Sequence, residues 1–401
     1  MKYIKNIVFF LALGIFATIM ITAFNYAEDR DKASVTAGDN QSYGLSGNLG
    51  AAISKTPRGT EKGQINPGSP KGFGGIPGAP EINYLVAILW AIWAGWIFST
   101  VGAFGGIMAG VGHLTIFGLG AYAKSFKETN LELNKLLTDT IRASNQYLSG
   151  LSSLLSTYNF YKMKRIVLPL GIALGLGSLL GGLLIPWLTA GKVNLSSYLG
   201  YFGFTVLVIG GFIFYGTTKR GQLSNIKAKE AAEAFQKAVK EKGNKLDQGV
   251  QVKEFGIARA RFSFFGTEFE FKPILPVIGG FLIAALSSFL GLGGGFLYVP
   301  FMTSVVGLPM FIVAGTSALA VFISMSASIF SYVVIKGTYI DWGLIGVEML
   351  GIFVGSMIGP RTQKYIPDIW LKRLFVVLAV YVGVRYFSLG FFGQSWLPPF
   401  K

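Results

Sequence analysis

The sequence contains no cysteine, and His113 is the only histidine among its 401 residues. Without cysteine there is no disulfide and no thiolate metal ligand, and a single imidazole does not build a histidine metal centre. The sequence has no nucleotide-binding loop of the Walker type and no grouping of nucleophile, base and orienting residue. It therefore predicts no cofactor, no metal site and no enzymatic activity.

Charged residues are also scarce, at 13% of the chain, whereas 52% of the residues are hydrophobic and the mean hydropathy is +0.53. These values predict an all-α integral membrane protein whose main surroundings are the lipid bilayer. The formal net charge is +16. In a membrane protein, such a charge usually comes from basic residues in the cytoplasmic loops. Nucleic-acid binding is therefore not expected.

A glycine-rich break interrupts the apolar stretch 286–317, where Gly291, Gly293, Gly294 and Gly295 fall within five residues. Glycine costs about 1 kcal/mol relative to alanine in a helix interior, so this run indicates an interrupted helix. Irregular backbone at membrane depth must line a cavity or be buried in protein. In secondary transporters, broken helices of this kind mark the substrate site.

The same pattern occurs earlier in the chain. When Ser99 is aligned with Ser288, three glycines of the first stretch fall on three of the second. A further match places Ser144 and Asn145 on Thr316 and Ser317. The chain is therefore predicted to contain two related repeats.

Four other segments surround these repeats. Residues 1–24 are predicted to be an N-terminal anchor or signal helix; the anchor is favoured because the cleavage pattern is poor. Residues 25–83 are predicted to be a flexible external leader without a core, and a lid over the external mouth is the alternative. Residues 217–272 are predicted to form a cytoplasmic insertion that connects the repeats or regulates transport, with a helix followed by a hairpin. Residues 390–401 form the tail.

Each repeat is predicted to contain a Gly-broken helical hairpin and three transmembrane helices. In the first repeat, 84–216, the hairpin covers 84–121, a polar surface helix covers 124–138, and the spans cover 141–160, 166–188 and 198–215. In the second repeat, 273–389, the hairpin covers 274–308 and the spans cover 313–335, 343–359 and 371–389.

The distribution of basic residues predicts the topology. If each broken segment enters and leaves the membrane on one side, the basic groups at 162–165, 219–220, 272 and 361–373 all lie in the cytoplasm, as the positive-inside rule favours. Each repeat then crosses the membrane an odd number of times, so the second repeat is inverted relative to the first.

Three motifs of the second repeat carry a family resemblance: GLGGGFLYVPFMTSVVGLP, AGTSALAVF and IKGTYIDWGLIGVEMLGIFVGSMIGPR. Together they resemble the TauE/SafE family of sulfite and organosulfonate exporters, also called the TSUP permeases. The resemblance covers 273–387 and, in the first repeat, 99–110 and 144–186. It implies transport of small sulfur-containing or related organic anions by a multi-pass protein of the cytoplasmic membrane.

Oxyanion chemistry suggests which residues would bind such a substrate. An oxyanion loses water on entering the membrane, and hydrogen-bond donors must replace it. Amides at broken helices supply donors without a fixed charge, although the glycines can instead serve close helix packing. The candidate substrate-binding residues are Gly102, Gly105, Gly106, Ser144, Asn145, Gly291, Gly293, Gly294, Gly295, Thr316 and Ser317.

Two titratable residues are candidates for coupling transport to protons. His113 follows the first glycine break and titrates near neutral pH; a packed neutral histidine is the alternative. Glu348 lies inside an otherwise apolar span, where a carboxylate is a functional candidate. Besides a secondary transporter, an anion channel and a non-transporting membrane scaffold remain alternatives, and the sequence predicts no oligomeric state.

Overall fold

The structure, a computed structural model, describes residues 43, 45, 47–102, 105–218, 226–242, 249–290 and 295–398. The predicted anchor or signal helix at 1–24 lies outside the described residues. So do three of the predicted substrate-binding glycines, Gly291, Gly293 and Gly294.

Helices make up most of the described chain. In the first half they are α1 Gly47–Ser54, α2 Tyr84–Ile97, α3 Gly105–Val111, α4 Leu119–Ser125, α5 Leu131–Lys162, α6 Leu168–Thr189 and α7 Leu195–Thr217. The insertion contains α8 Ile226–Lys242 and the strands β1 Gln251–Phe255, β2 Ala260–Phe264 and β3 Thr267–Phe271. The second half contains α9 Ile274–Leu290, α10 Gly295–Pro300, α11 Met310–Ile329, α12 Trp342–Gln363 and α13 Asp368–Phe391.

Four short π-helical turns extend these helices. They are Phe98–Gly102 after α2, Gly112–Ile116 after α3, Phe301–Val305 after α10 and Phe330–Ile335 after α11. The second and third coincide when Ser99 is aligned with Ser288. The two broken segments therefore share a local irregularity as well as their glycines.

Five helices of the described chain are long and apolar enough to cross a membrane: Leu168–Thr189, Leu195–Thr217, Met310–Ile335, Trp342–Gln363 and Ile369–Phe391. The number is six if the pair Gly105–Ile116 and Leu119–Ser125, bent by 59°, is one span. These helices match five of the six unbroken spans predicted from the sequence. They support a mostly helical membrane protein, as the sequence predicts, with a small sheet in the insertion.

The sixth predicted span differs from the structure. The sequence predicts a surface helix at 124–138 and a separate span at 141–160, but Leu131–Lys162 forms one helix of 32 residues, roughly 48 Å long. Asn130 starts it, because its side chain accepts a hydrogen bond from the amide of Leu133 at 3.0 Å. The polar residues of α5 mislead a hydropathy argument because they are buried in protein rather than exposed to water.

Close backbone contacts join the two repeats. α12 packs along α2, and α6 packs along α9. A Cβ atom at Gly351 of α12 would lie 2.5 Å from the carbonyl oxygen of Ile88, and one at Gly177 of α6 would lie 1.9 Å from that of Val277. Ile88 and Val277 are equivalent in the repeat alignment. Each repeat therefore packs a full helix against the broken segment of the other through equivalent glycines.

The last helices of the two repeats also pack on each other. A Cβ at Gly203 of α7 would lie 2.0 Å from the amide nitrogen of Phe387 in α13, and one at Gly210 would lie 2.9 Å from the Cβ of Ala379. Residue numbers rise along α7 as they fall along α13. The two helices are therefore antiparallel.

Residues 47–83 do not fit the prediction of a leader without a core. They contain α1, a short 3₁₀ turn at Phe73–Gly75 and several turns. Their buried apolar side chains are Leu49, Ala52, Ile53, Ile65, Phe73, Ile76 and Ala79. Hydrophobic periodicity does not reveal this core, because turns, rather than long helices, bring its few apolar side chains inward. We call residues 47–83 the cap.

The insertion has the predicted helix and hairpin. Phe265 and Gly266, with φ angles of 46° and 84°, form the turn between β2 and β3, as expected for a two-residue hairpin turn. β1 completes an antiparallel sheet in the order β1–β2–β3 and was not predicted. From α8, Phe235 packs against Phe311 of α11 with ring centroids 4.6 Å apart.

The close crossings predict that Gly355→Ala destabilises the protein. A Cβ there would lie 2.1 Å from the backbone oxygen of Ile92, so the helices must separate, at a cost of about 1–3 kcal/mol or more. Gly346→Ala on the same helix is the control, because its Cβ would meet no described atom within 4 Å. Thermal unfolding in detergent should show a lower Tm for Gly355→Ala alone; equal Tm values would contradict the crossing.

Candidate functional site

His113 is completely buried at the second residue of the π turn Gly112–Ile116. Gly112 makes this turn possible, because a Cβ at this position would lie 2.6 Å from the indole of Trp90. The Trp90 indole nitrogen donates to the carbonyl oxygen of Met108 at 2.8 Å. The returning arm of the first broken segment is therefore fixed against its leading arm, and this holds the His113 ring in place.

Both nitrogens of the His113 ring contact side chains from other helices. Nδ1 lies 2.5 Å from Oδ1 of Asn145 on α5, and Nε2 lies 2.9 Å from Oε2 of Glu348 on α12. All three side chains are buried. The sequence predicts each of them separately as a candidate, and the structure brings them into one cluster, which we call the histidine cluster.

The histidine cluster holds a proton between a base and an acid. Asn145 Oδ1 is an acceptor, so Nδ1 of His113 carries a hydrogen. The hydrogen between His113 and Glu348 belongs either to Nε2, as an imidazolium–carboxylate pair, or to the carboxyl group, beside a neutral imidazole. Both arrangements have no net charge, which suits a buried site.

Some polar atoms of the cluster have no hydrogen-bond partner. Within the described part of the chain, this holds for Nδ2 of Asn145, for Oε1 of Glu348 and for both side-chain polar atoms of the adjacent Gln146. Buried polar groups are normally paired. The cluster can therefore offer an amide donor and a carboxyl group to a bound molecule.

A second buried polar group lies on α5 one turn before Asn145. Nη1 of Arg142 donates to Oδ1 of Asp139 at 2.9 Å, and Asp139 also accepts a hydrogen bond from the amide of Gly191. Nη2 of Arg142 donates to the carbonyl oxygens of Ser288 and Phe289. Arg142 thus binds the end of α9, immediately before the second glycine run.

This ion pair was not predicted from the sequence. Asp139 and Arg142 stand three residues apart, the spacing at which opposite charges meet on one helix face. They lie close to the junction at which the sequence was divided into a surface helix and a span. Asp139 therefore fell between the two predicted segments instead of on one helix with Arg142.

A profile of the family described as "Sulfite exporter TauE/SafE" matches residues 86–386, about three quarters of the chain. The chain belongs to the TauE/SafE family. The match runs from α2 to α13 and includes every residue of the histidine cluster. The resemblance stated from the motifs of the second repeat is confirmed, and it extends through the first repeat.

One curated relative of this TauE/SafE chain is a probable membrane transporter protein of Methanocaldococcus jannaschii. The two are 34% identical over 121 residues, which is 28% of this chain and 45% of the relative. The chain thus matches a little under half of that relative's length. No solved structure matches the chain.

Two other predicted residues of this TauE/SafE protein, Thr316 and Ser317, make hydrogen bonds to nearby backbone. Thr316 Oγ1 donates to the carbonyl oxygen of Ile312 and accepts from the amide of Val167, and Ser317 Oγ donates to the carbonyl oxygen of Ala314. Both hydroxyls are therefore engaged within or beside α11.

The described glycines of the predicted site begin or end helical segments. Gly102 ends the π turn Phe98–Gly102, Gly105 and Gly106 begin α3, and Gly295 begins α10. A Cβ at Gly105 would lie 2.4 Å from the carbonyl oxygen of Ala94. This contact supports the packing alternative for Gly105. Ser144 is buried on α5 next to Asn145.

The buried ion pair predicts that Asp139→Asn destabilises the protein by about 3–5 kcal/mol, because it leaves the Arg142 charge without a carboxylate. The control is Glu132→Gln, which removes an exposed contact of 3.6 Å to Lys55 worth less than about 1 kcal/mol. Melting temperatures of the purified proteins compare them. Equal small losses would show that Asp139 does not compensate Arg142.

Proposed function

We propose that this protein is a secondary transporter of small sulfur-containing or related organic anions, such as sulfite or sulfonates, across the cytoplasmic membrane, coupled to protons. Family membership supports transport of this substrate class, and the name of the archaeal relative points to a membrane transporter. The observation that carries the proposal is the histidine cluster, in which a proton-binding pair is buried between helices of both repeats.

The proposed architecture is a pair of inverted repeats. Phe160 of α5 lies beside Gly315 of α11, whereas Arg142, near the other end of α5, lies 5.2 Å from the ring of Tyr332. α5 and its counterpart α11 therefore run antiparallel, as α7 and α13 do. Antiparallel equivalent helices support repeats related by an axis in the membrane plane.

The histidine cluster lies where such repeats would move against each other. His113 and Asn145 belong to the first repeat and Glu348 to the second. Further along the same interface, Oγ of Ser152 on α5 lies 2.7 Å from Oγ of Ser356 on α12. A change in the spacing between α5 and α12 would therefore alter the contacts of His113 directly.

Charge balance gives this site a mechanism for coupling. With one proton, the His113–Glu348 pair is neutral. A second proton gives an imidazolium beside a protonated carboxyl group, which leaves one net positive charge in a low-dielectric site. That charge favours an oxyanion nearby, and Nδ2 of Asn145 can donate to it. Proton and anion would then be bound and released together.

Transport in proteoliposomes tests the proposal. Radiolabelled sulfite, thiosulfate, sulfate and a taurine-type sulfonate are offered with and without an imposed pH gradient. The expected result is saturable accumulation of one anion that collapses with the gradient. Flux without saturation or counterflow would indicate a channel, and no flux of any anion would contradict the proposed substrate class.

Glu348→Gln and His113→Gln should each abolish accumulation driven by the pH gradient, because neither variant retains the pair that takes up the second proton. Exchange of internal for external anion can persist in Glu348→Gln, since exchange needs no net proton movement. Glu132→Gln, an exposed acid of α5, is the matched control. Full pH dependence in both cluster variants would contradict proton coupling.

A further inference from the structure

The tip of the cap contacts the residues at the start of α12, the helix that carries Glu348. The amide of Gly74 donates to Oδ2 of Asp341 at 3.0 Å, and the ring of Phe73 meets that of Tyr339 edge to face with centroids 6.5 Å apart. Gly74 has a φ angle of 64°, a conformation that glycine adopts readily. We call residues 70–80 the tip loop.

Asp341 has two functions in this contact. Its Oδ1 accepts from the amide of Leu344 at 3.0 Å and so caps the start of α12, whereas its Oδ2 binds the tip loop. Asp341, Ile345 and Glu348 are spaced four and three residues apart, on one face of α12. The tip loop therefore covers the end of the face that leads to the histidine cluster.

The other end of the cap is attached to α5 in the same way. Oδ1 of Asn130 caps α5 by accepting from Leu133, and its Nδ2 donates to the carbonyl oxygen of Ala52 and to Oγ1 of Thr56, both at 2.9 Å. The residues that start the two helices carrying Asn145 and Glu348 thus each hold one part of the cap. The cap joins a helix of the first repeat to a helix of the second.

The tip loop has its own internal support. Backbone hydrogen bonds run from Gly72 to Ile76, from Phe73 to Pro80 and from Gly78 to Pro70. It can therefore move as a unit. Its contacts at the start of α12 include the hydrogen bond from Gly74 to Asp341 and the ring contact of Phe73 with Tyr339. Ile345 and Glu348 are completely buried beneath this end of the protein, so exchange with the outer solution requires an opening.

We propose that the tip loop is the outer gate of the transporter, latched by the hydrogen bond from Gly74 to Asp341 and hinged on the attachment of the cap to Asn130. The proposal rests on the proposed function for its transport role and on the predicted topology for its outward position. When the latch opens, the face of α12 from Asp341 to Glu348 becomes accessible from outside.

The absence of cysteine allows a direct test. Ile345→Cys places a reporter thiol on the covered face, and Leu344→Cys provides a second reporter should the first fail to fold. Intact cells are treated with membrane-impermeant thiosulfonates, one cationic and one anionic. Asp341→Asn retains the oxygen that caps α12 but loses the acceptor for Gly74, so it breaks the latch without uncapping the helix.

Asp341→Asn is expected to speed labelling of the reporter by about tenfold or more, the effect of losing a hydrogen bond to a charged acceptor on an opening equilibrium. Both reagents should react faster, because an effect of charge alone would speed the anion and slow the cation. The matched control, Glu81→Gln, neutralises an exposed acid directly after the tip loop and leaves the Gly74–Asp341 hydrogen bond in place, so it should leave labelling unchanged.

Unchanged labelling in Asp341→Asn, or equal acceleration in Glu81→Gln, would overturn the gate. Labelling needs no substrate, so this result is independent of the anion transported. Faster labelling without flux of any tested anion would support the gate while contradicting the proposed substrate class. Normal anion flux with unchanged labelling would support the proposed substrate class and contradict the gate.

Discussion

A carboxylate without exposed surface must share its charge or its proton, and Glu348 does so with His113. The same constraint applies to the polar residues of α5, which also need partners inside the protein. A helix that crosses a lipid environment cannot present amides and an arginine to hydrocarbon, but α5 is enclosed by other helices and supplies Asn145 to one buried group and Asp139 with Arg142 to another. The polar residues in its middle are tolerated because they are buried against protein. Their grouping on one enclosed helix places the polar interior of the protein along α5.

Glycine brings helix backbones close together at several crossings of this protein. Gly351 and Gly177 bring backbones together at equivalent crossings of the two repeats, and Gly105 packs against its own leading arm. Such contacts depend on shape and on dispersion rather than on hydrogen bonding to a ligand. Under the proposed function, Asn145 and Arg142 are further donors for an oxyanion, although Arg142 is already engaged by Asp139 and by two carbonyl oxygens. Packing glycines would thus shape the interior, and side chains would supply its chemistry.

The sequence predicts the helices that have long apolar runs. It does not predict the segments whose residues are buried by protein contacts instead of by lipid, or whose core is formed by turns. α6, α7, α11, α12 and α13 follow from composition alone, since lipid-facing helices must be apolar. α5 was divided in two because hydropathy does not distinguish a side chain facing water from one facing a protein interior. His113, Asn145 and Glu348 were found one at a time, by chemical type; their meeting depends on contacts between residues 32 and more than 200 positions apart. The cap was missed because turns have no periodicity.

Different contacts close the two sides of the protein, the cap on one side and the insertion on the other. On the side of Asp341 and Asn130, helix-capping side chains hold the cap over the polar interior: Asp341 accepts one hydrogen bond from Gly74, and Asn130 donates two, to Ala52 and Thr56. On the side of Arg165, the guanidinium donates to the carbonyl oxygen of Phe311 and stacks near the ring of Phe235 from the insertion. Opening there would break the hydrogen bond and the ring contact of Arg165 together, whereas the tip loop is held to Asp341 by one hydrogen bond. The proposed gate would therefore open on the Asp341 side, where one hydrogen bond and one ring contact hold the tip loop.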